Sequence, residues 1–212
     1  MTTFVLVPGG WFGAWGYHEA ASELQRRGHQ AHPVPLTGVG ERAAQLTAAV
    51  NLDTHIQDVV ALIEAEQIAD AVLVGHSYGG MVITGVAEAL PGRIRRLVYS
   101  DAYVPGNGDS CWDLTSPSFR ELFIAGAGED GFSVRPPAGR DPRATADPLA
   151  SFVQKIRLTG TANGVQRRDY IYLSGWDGSP FGDVYQRLRK DPAWHAHSLP
   201  VSHNVLADAP QE

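Results

Sequence analysis

The group best placed to do chemistry is the hydroxyl of Ser77. Gly75-His76-Ser77-Tyr78-Gly79 fits G-x-S-x-G and lies between an apolar run, Ala71 to Val74, and a helical pattern, Met81 to Leu90. In that context the pattern bends the chain sharply from strand to helix and lifts the serine hydroxyl above a sheet. Glycines flank Ser77 because the bend strains the backbone and leaves no room for side chains two positions away. The bend also sets the positive end of the next helix beneath the serine, so that the Tyr78 N–H can point at an oxyanion. The plainer reading is a glycine turn that only joins strand to helix.

A serine hydroxyl needs a base, and His203 is the best candidate, in Pro200-Val201-Ser202-His203-Asn204 after the last strand-like segment. His18, His29, His32 and His55 fall in helices or early loops, and His195 and His197 within a strand. His76 is expected inside the bend with its side chain pointing away from the site. Two aspartates compete to hold the imidazole: Asp101, directly after the strand Ile94 to Ser100, and Asp177, in Ser174-Gly175-Trp176-Asp177-Gly178. Asp101 is preferred because a sheet positions a strand-end residue, whereas Asp177 sits among turn formers. The second oxyanion donor is expected from Pro8-Gly9-Gly10-Trp11-Phe12, with Gly10 nominated. That loop lacks the continuation a phosphate-cradling glycine loop requires. Trp11, Phe12, Tyr78, Trp112 and Trp176 fall in loops expected around the site. They either wall an apolar or aromatic substrate pocket or pack a lid onto the core.

The elements that must position these residues alternate as strand and helix, the βα pattern of a parallel sheet. Thr3 to Pro8 is an apolar strand, Gly16 to Arg27 a helix, His32 to Leu36 an extended stretch, and Thr37 to Gln45 a loop. Asp53 to Ile68 is a helix capped by Asn51 or Asp53. From Pro105 to about Leu149 Gly, Pro, Asp and Ser are scattered among aromatics, which reads as an insertion with short helices, not as a sheet element. The lid spans about 105–165, between the strand ending at 100 and one starting near 169. Phe181 to Lys190 is a helix and His195 to Leu199 the last strand.

One domain over 1–212 fits this length. A net charge of −6 puts no basic stripe on the surface, so a nucleic acid partner is not expected. No run reaches the roughly 20 apolar residues of a membrane helix, and Thr2 leads straight into a strand, so a cytoplasmic location is expected. The partner is a small-molecule substrate, a homodimer stays open, and no cofactor or metal is called for. Cys111 is the only cysteine. A closing helix is expected to begin after Pro210, with the native chain continuing beyond Glu212.

Val5-Leu6-Val7-Pro8-Gly9-Gly10-Trp11, then Gly75-His76-Ser77-Tyr78-Gly79-Gly80, then Ser202-His203-Asn204-Val205, together resemble the methylesterase and hydroxynitrile lyase branch of the α/β-hydrolase family. Plant salicylate methylesterases and many bacterial relatives belong there. The resemblance covers almost the whole chain apart from the lid. It implies an α/β-hydrolase fold, a mostly parallel sheet of the eight-stranded type with helices on both faces and a small lid insertion. It also implies a triad and a two-amide oxyanion hole, with Ser77 as nucleophile, His203 as base, and Gly10 and Tyr78 as donors. The family's usual acid position aligns closest to Trp176, one residue short of Asp177, whereas Asp101 matches the acid of dehalogenase-like relatives. The lyases carry a threonine in the first loop and a lysine after the histidine; Gly9 and Asn204 stand there, which favours esterase over lyase.

The expected function is therefore a serine esterase acting on a small ester, thioester or lactone through an acyl-serine. A lyase or natural-product tailoring hydrolase or cyclase is the second reading. A small-molecule binding protein with a retained triad is the third.

Overall fold

The structure is a computed structural model and describes residues 1–208. Its opening strand β1 (Thr3–Val7) follows from the apolar run that begins the chain, and Val5, Leu6 and Val7 are all buried. A 3-10 turn (Ala14–Tyr17) leads into α1 (His18–Arg26), and the chain returns as β2 (Gln30–Pro33). The stretch expected to be a loop, Thr37 to Gln45, contains a second 3-10 segment (Gly40–Gln45). Helix α2 (Leu52–Ala65) is capped by Asn51, not Asp53. The Asn51 side chain accepts the Thr54 N–H while the Thr54 hydroxyl accepts the Asn51 N–H, a reciprocal capping box. Leu52, Ile56, Val59, Val60 and Ile63 recur at helical spacing and bury one face in the core. Then come β3 (Ala71–His76), α3 (Gly79–Ala89) and β4 (Ile94–Ser100).

The insertion holds α4 (Cys111–Leu114), α5 (Pro117–Gly126) and α6 (Leu149–Val153), with one departure from expectation. Before α6, β5 (Ser133–Val134) and β6 (Asp147–Pro148) pair antiparallel as a two-stranded ladder separate from the main sheet. After a 3-10 turn (Thr161–Gly164), the chain rejoins the sheet as β7 (Arg167–Leu173), crosses through α7 (Gly182–Leu188), and ends the sheet with β8 (Trp194–Leu199). Helix α8 (Val205–Asp208) follows. The helix expected after Pro210 lies outside the described residues.

The main sheet has six strands in the order β2-β1-β3-β4-β7-β8, every neighbouring pair parallel, so the eight-stranded-type core that the resemblance implied is reduced to six among the described residues. The registers place Val7 beside Gly75, His76 beside Ser100, and Leu173 beside Leu199. The carboxyl ends of β1, β3, β4, β7 and β8 therefore share one edge, where ligands of open α/β sheets bind. No helix of the described residues is long and apolar enough to cross a membrane, and no group of His, Cys, Asp or Glu among them could hold a metal ion.

At the β3–α3 bend the packing is close enough to require glycine. A Cβ at Gly75 would sit 2.6 Å from the Gly79 carbonyl oxygen, and one at Gly79 would sit 2.6 Å from that of Val7. Both obstacles are backbone and cannot swing aside. Gly79→Ala is expected to cost about 1–3 kcal/mol by urea unfolding despite alanine's better helix propensity. Unchanged stability would contradict the close approach.

Candidate active site

Ser77 stands on the bend in the left-handed backbone region, with φ of 53°. Its N–H donates to the Ser100 carbonyl, and its own carbonyl accepts the Gly80 and Tyr103 N–H groups, so three bonds fix a conformation that non-glycine residues avoid. Trp11 and Asp101 share this feature, with φ of 67° and 43°. Of the five non-glycine residues in this region among the described residues, these three follow the ends of three adjacent strands, and the other two, Gln67 and Asp70, lie between α2 and β3. Gly9 packs against Ser77, where a Cβ would come within 2.9 Å of the serine's own. Among the described residues neither the Gly10 nor the Tyr78 N–H has a hydrogen-bond acceptor, and the Ser77 hydroxyl has no hydrogen-bond partner, His203 included.

Asp101 is fully buried and holds the imidazole. Its Oδ2 accepts from His203 Nδ1 at 2.6 Å and from the Trp176 indole N–H at 3.1 Å, and its Oδ1 accepts the Leu173 N–H at 3.2 Å. Because a carboxylate only accepts, the His203 proton sits on Nδ1, and Nε2 is left with its lone pair. Burial pushes the Asp101 carboxyl up to about 6, against the pull of the Leu173 and Trp176 donors. It pushes His203 down to about 3, with the charge of Arg140 adding to the effect. The imidazole is therefore neutral near pH 7. Asp177, the competing aspartate, is exposed in the turn after β7, and the structure brings Asp101 to the imidazole in its place.

Three rings enclose the imidazole. Trp176 lies 4.7 Å from it, Phe181 stacks on it at 5.6 Å, and His76 lies at 4.5 Å. His76 does not point away, as expected from its place beside the serine. Strand β3 continues through His76, paired with Ser100, which turns its ring under the His203 loop, and its Nε2–H donates to the His203 carbonyl. Burial pushes it down to about 3, so it supports the loop as a neutral ring. The Tyr78 side chain is likewise tied down. His55 Nε2–H donates to the Thr37 carbonyl, so its Nδ1 accepts the Tyr78 hydroxyl at 2.9 Å.

The other aromatics divide. Trp11 packs with Phe123 and Phe152, and Trp112 against Phe123, so both belong to the seam between lid and body and not to an open pocket wall. Phe12 packs at a tilt against Trp15 in a separate surface hollow of about 240 Å³. Only Trp176, of the four tryptophan and phenylalanine residues expected to line a pocket, touches the imidazole. A larger cavity of about 520 Å³ opens between α4, α5 and the loop before α7, lined in part by Tyr103, Leu114 and Phe181. Phe181 stands between that cavity and His203.

Asp147, on the lid strand β6, escaped sequence reasoning. It is buried, its Oδ2 accepts the Trp11 N–H at 2.5 Å, and it lies 3.1 Å from where a Gly10 Cβ would be. Burial pushes its carboxyl up to about 7. The lid thereby pins the loop that carries the Gly10 amide. No motif marks Asp147, which stands 136 positions from its partner in a stretch without periodicity.

The sequence profile of the alpha/beta hydrolase family matches residues 4–212. A carbendazim hydrolyzing esterase of Nocardioides sp. (strain SG-4G) is 40% identical over 233 residues, covering 100% of this chain and 96% of that protein. A putative chloroplastic methylesterase of Arabidopsis thaliana is 32% identical over 114 residues, 53% of this chain and 29% of that one. An extracellular alpha/beta-hydrolase from a Paenibacillus species superposes with a TM-score of 0.83 at 25% identity, over 99% of this chain and 95% of that one.

Replacing Asp147 by alanine leaves the buried Trp11 N–H without its acceptor. It is expected to lower urea-unfolding stability by about 1–3 kcal/mol. Asp177→Ala, on the surface, is expected to stay within about 0.5 kcal/mol of wild type. Equal effects of the two would contradict the pinning contact.

Proposed function

Because the chain belongs to the alpha/beta hydrolase family, we propose that it hydrolyses small carboxylic esters, thioesters or lactones through an acyl-serine formed on Ser77. The observation that carries this reading is the Asp101–His203 hydrogen bond, which fixes the imidazole as a neutral Nδ1–H tautomer with Nε2 free to accept a proton. The 40% identity with an esterase over the full chain supports the class of bond cleaved.

In this mechanism His203 Nε2 takes the Ser77 proton as Oγ attacks the carbonyl carbon, and the resulting oxyanion accepts the Gly10 and Tyr78 N–H groups. The imidazolium, stabilised by Asp101, gives its proton to the leaving alcohol, thiol or hydroxyl oxygen. Water then enters and loses a proton to His203 as it attacks the acyl carbon, and that proton passes to Ser77 Oγ as the acid is released. On this reading the Ser77 hydroxyl and His203 Nε2 come into hydrogen-bond contact in the substrate complex, since catalytic hydrogen bonds commonly tighten only there. The rings of Trp176 and Phe181 beside the imidazole, with the cavity beyond Phe181, favour an apolar or aromatic acyl group.

Hydrolysis of 4-nitrophenyl acetate tests the assignment. Ser77→Ala is expected to reduce kcat to near background and Asp101→Asn to lower it on the order of 10,000-fold, with Asp177→Asn close to wild type. Turnover by Ser77→Ala at the wild-type rate would remove the serine mechanism. The pH profile gives a separate check. The active form has a neutral His203 and an ionised Asp101, and Asp101 is pushed up to about 6 while His203 is pushed down to about 3. Protonating the pair on acidification removes that form, so kcat/KM is expected to fall below about pH 6 and to be level above it. A limb centred above pH 8 would contradict this ionisation state.

A further inference from the structure

Arg140 lies in the lid between β5 and β6, and its guanidinium carbon sits 5.9 Å from the centroid of the Trp11 ring. Trp11 follows Gly10 directly, so this cation stands over the loop that carries one proposed oxyanion donor. It differs from several other arginines of the chain. Arg143, three residues on, is paired with Asp141, and Arg42, Arg96 and Arg167 each pair with an aspartate. Arg140 has no ion pair and no hydrogen bond among the described residues, although it is partly buried.

No local anion serves it. Asp101 is already engaged by three donors, and Asp147 is turned to the Trp11 N–H. The charge of Arg140 does reach the site, since it helps hold both His203 and His76 in their neutral forms. The guanidinium is partly desolvated and none of its five donors is met by a protein group among the described residues, which leaves them open to an anion. Its planar fork suits a carboxylate, which it can bind through two parallel N–H bonds.

We propose that Arg140 binds a carboxylate group of the substrate, and that the preferred esters of this site carry a free carboxylate in their acyl or alcohol part. This rests on the ester hydrolysis proposed above. In the complex the scissile carbonyl lies at the Gly10 and Tyr78 amides, and the carboxylate meets the Arg140 guanidinium. Arg140 is a specificity residue here and takes no part in bond making or breaking.

The test compares 4-nitrophenyl hydrogen succinate, which carries one carboxylate, with neutral 4-nitrophenyl acetate. Arg140→Gln is expected to lower kcat/KM for the succinate roughly 10- to 100-fold more than for the acetate, mainly through KM, because a charge-assisted hydrogen bond is lost. Arg140→Lys is expected to recover part of that preference, and added salt to reduce it in the wild type. Equal losses on both esters, or an unchanged ratio, would overturn the proposal while leaving ester hydrolysis intact. If wild type fails to cleave the acetate, the hydrolase reading itself falls. The anion site is then read directly by glutarate titrations followed through tryptophan fluorescence. Ser77→Ala is expected to bind glutarate and Ser77→Ala/Arg140→Gln not to; indistinguishable titrations would overturn the carboxylate site.

Discussion

The arrangement depends on one hydrogen bond between side chains 102 positions apart, from His203 Nδ1 to Asp101 Oδ2 at 2.6 Å. It connects the end of β4 in the middle of the sheet to the loop after β8 at its edge. A buried carboxylate is tolerated only where donors meet it, and Asp101 has three. The same bond sets the imidazole tautomer, so one contact provides both the anchoring of the loop and the free lone pair at Nε2. Trp176, Phe181 and His76 then enclose the ring and remove it from water.

Much of this was legible in the sequence because it follows from local chemistry. The strand before Ser77 and the helix after it were marked by apolar runs. The bend was marked by Gly75 and Gly79, which the packing requires for space. Strand β4 was legible to its last residue, since Ser100 gives way to a residue that leaves the sheet. What stayed hidden depends on contacts between distant segments. Trp176 was read from its loop position as a pocket wall or lid packing, but its indole N–H is committed to Asp101. His76 was expected to turn away, but the strand runs two residues further than the apolar pattern suggests. Asp147 and Arg140 lie in a stretch without periodicity, where only the folded chain shows what they meet.

The lid acts on the site through polar contacts as well as by covering it. Asp147 holds the Trp11 amide, and the aromatic seam of Trp11, Phe123 and Phe152 closes the space behind it. Phe152 also meets the ring of Tyr78 at 5.4 Å, so the residue after the serine is wedged between the lid and His55. The two backbone amides proposed to receive an oxyanion are thus each followed or carried by a side chain locked into the seam. Preorganisation of this kind lets donors act on developing charge without reorganising during the reaction.

The most direct test of the account is proton NMR in water, in the far-downfield region where hydrogen-bonded imidazole N–H protons resonate. The account predicts a His203 Nδ1–H resonance in wild type that persists in Asp177→Ala and disappears in Asp101→Ala. Loss of that resonance in Asp177→Ala, with its survival in Asp101→Ala, would contradict it.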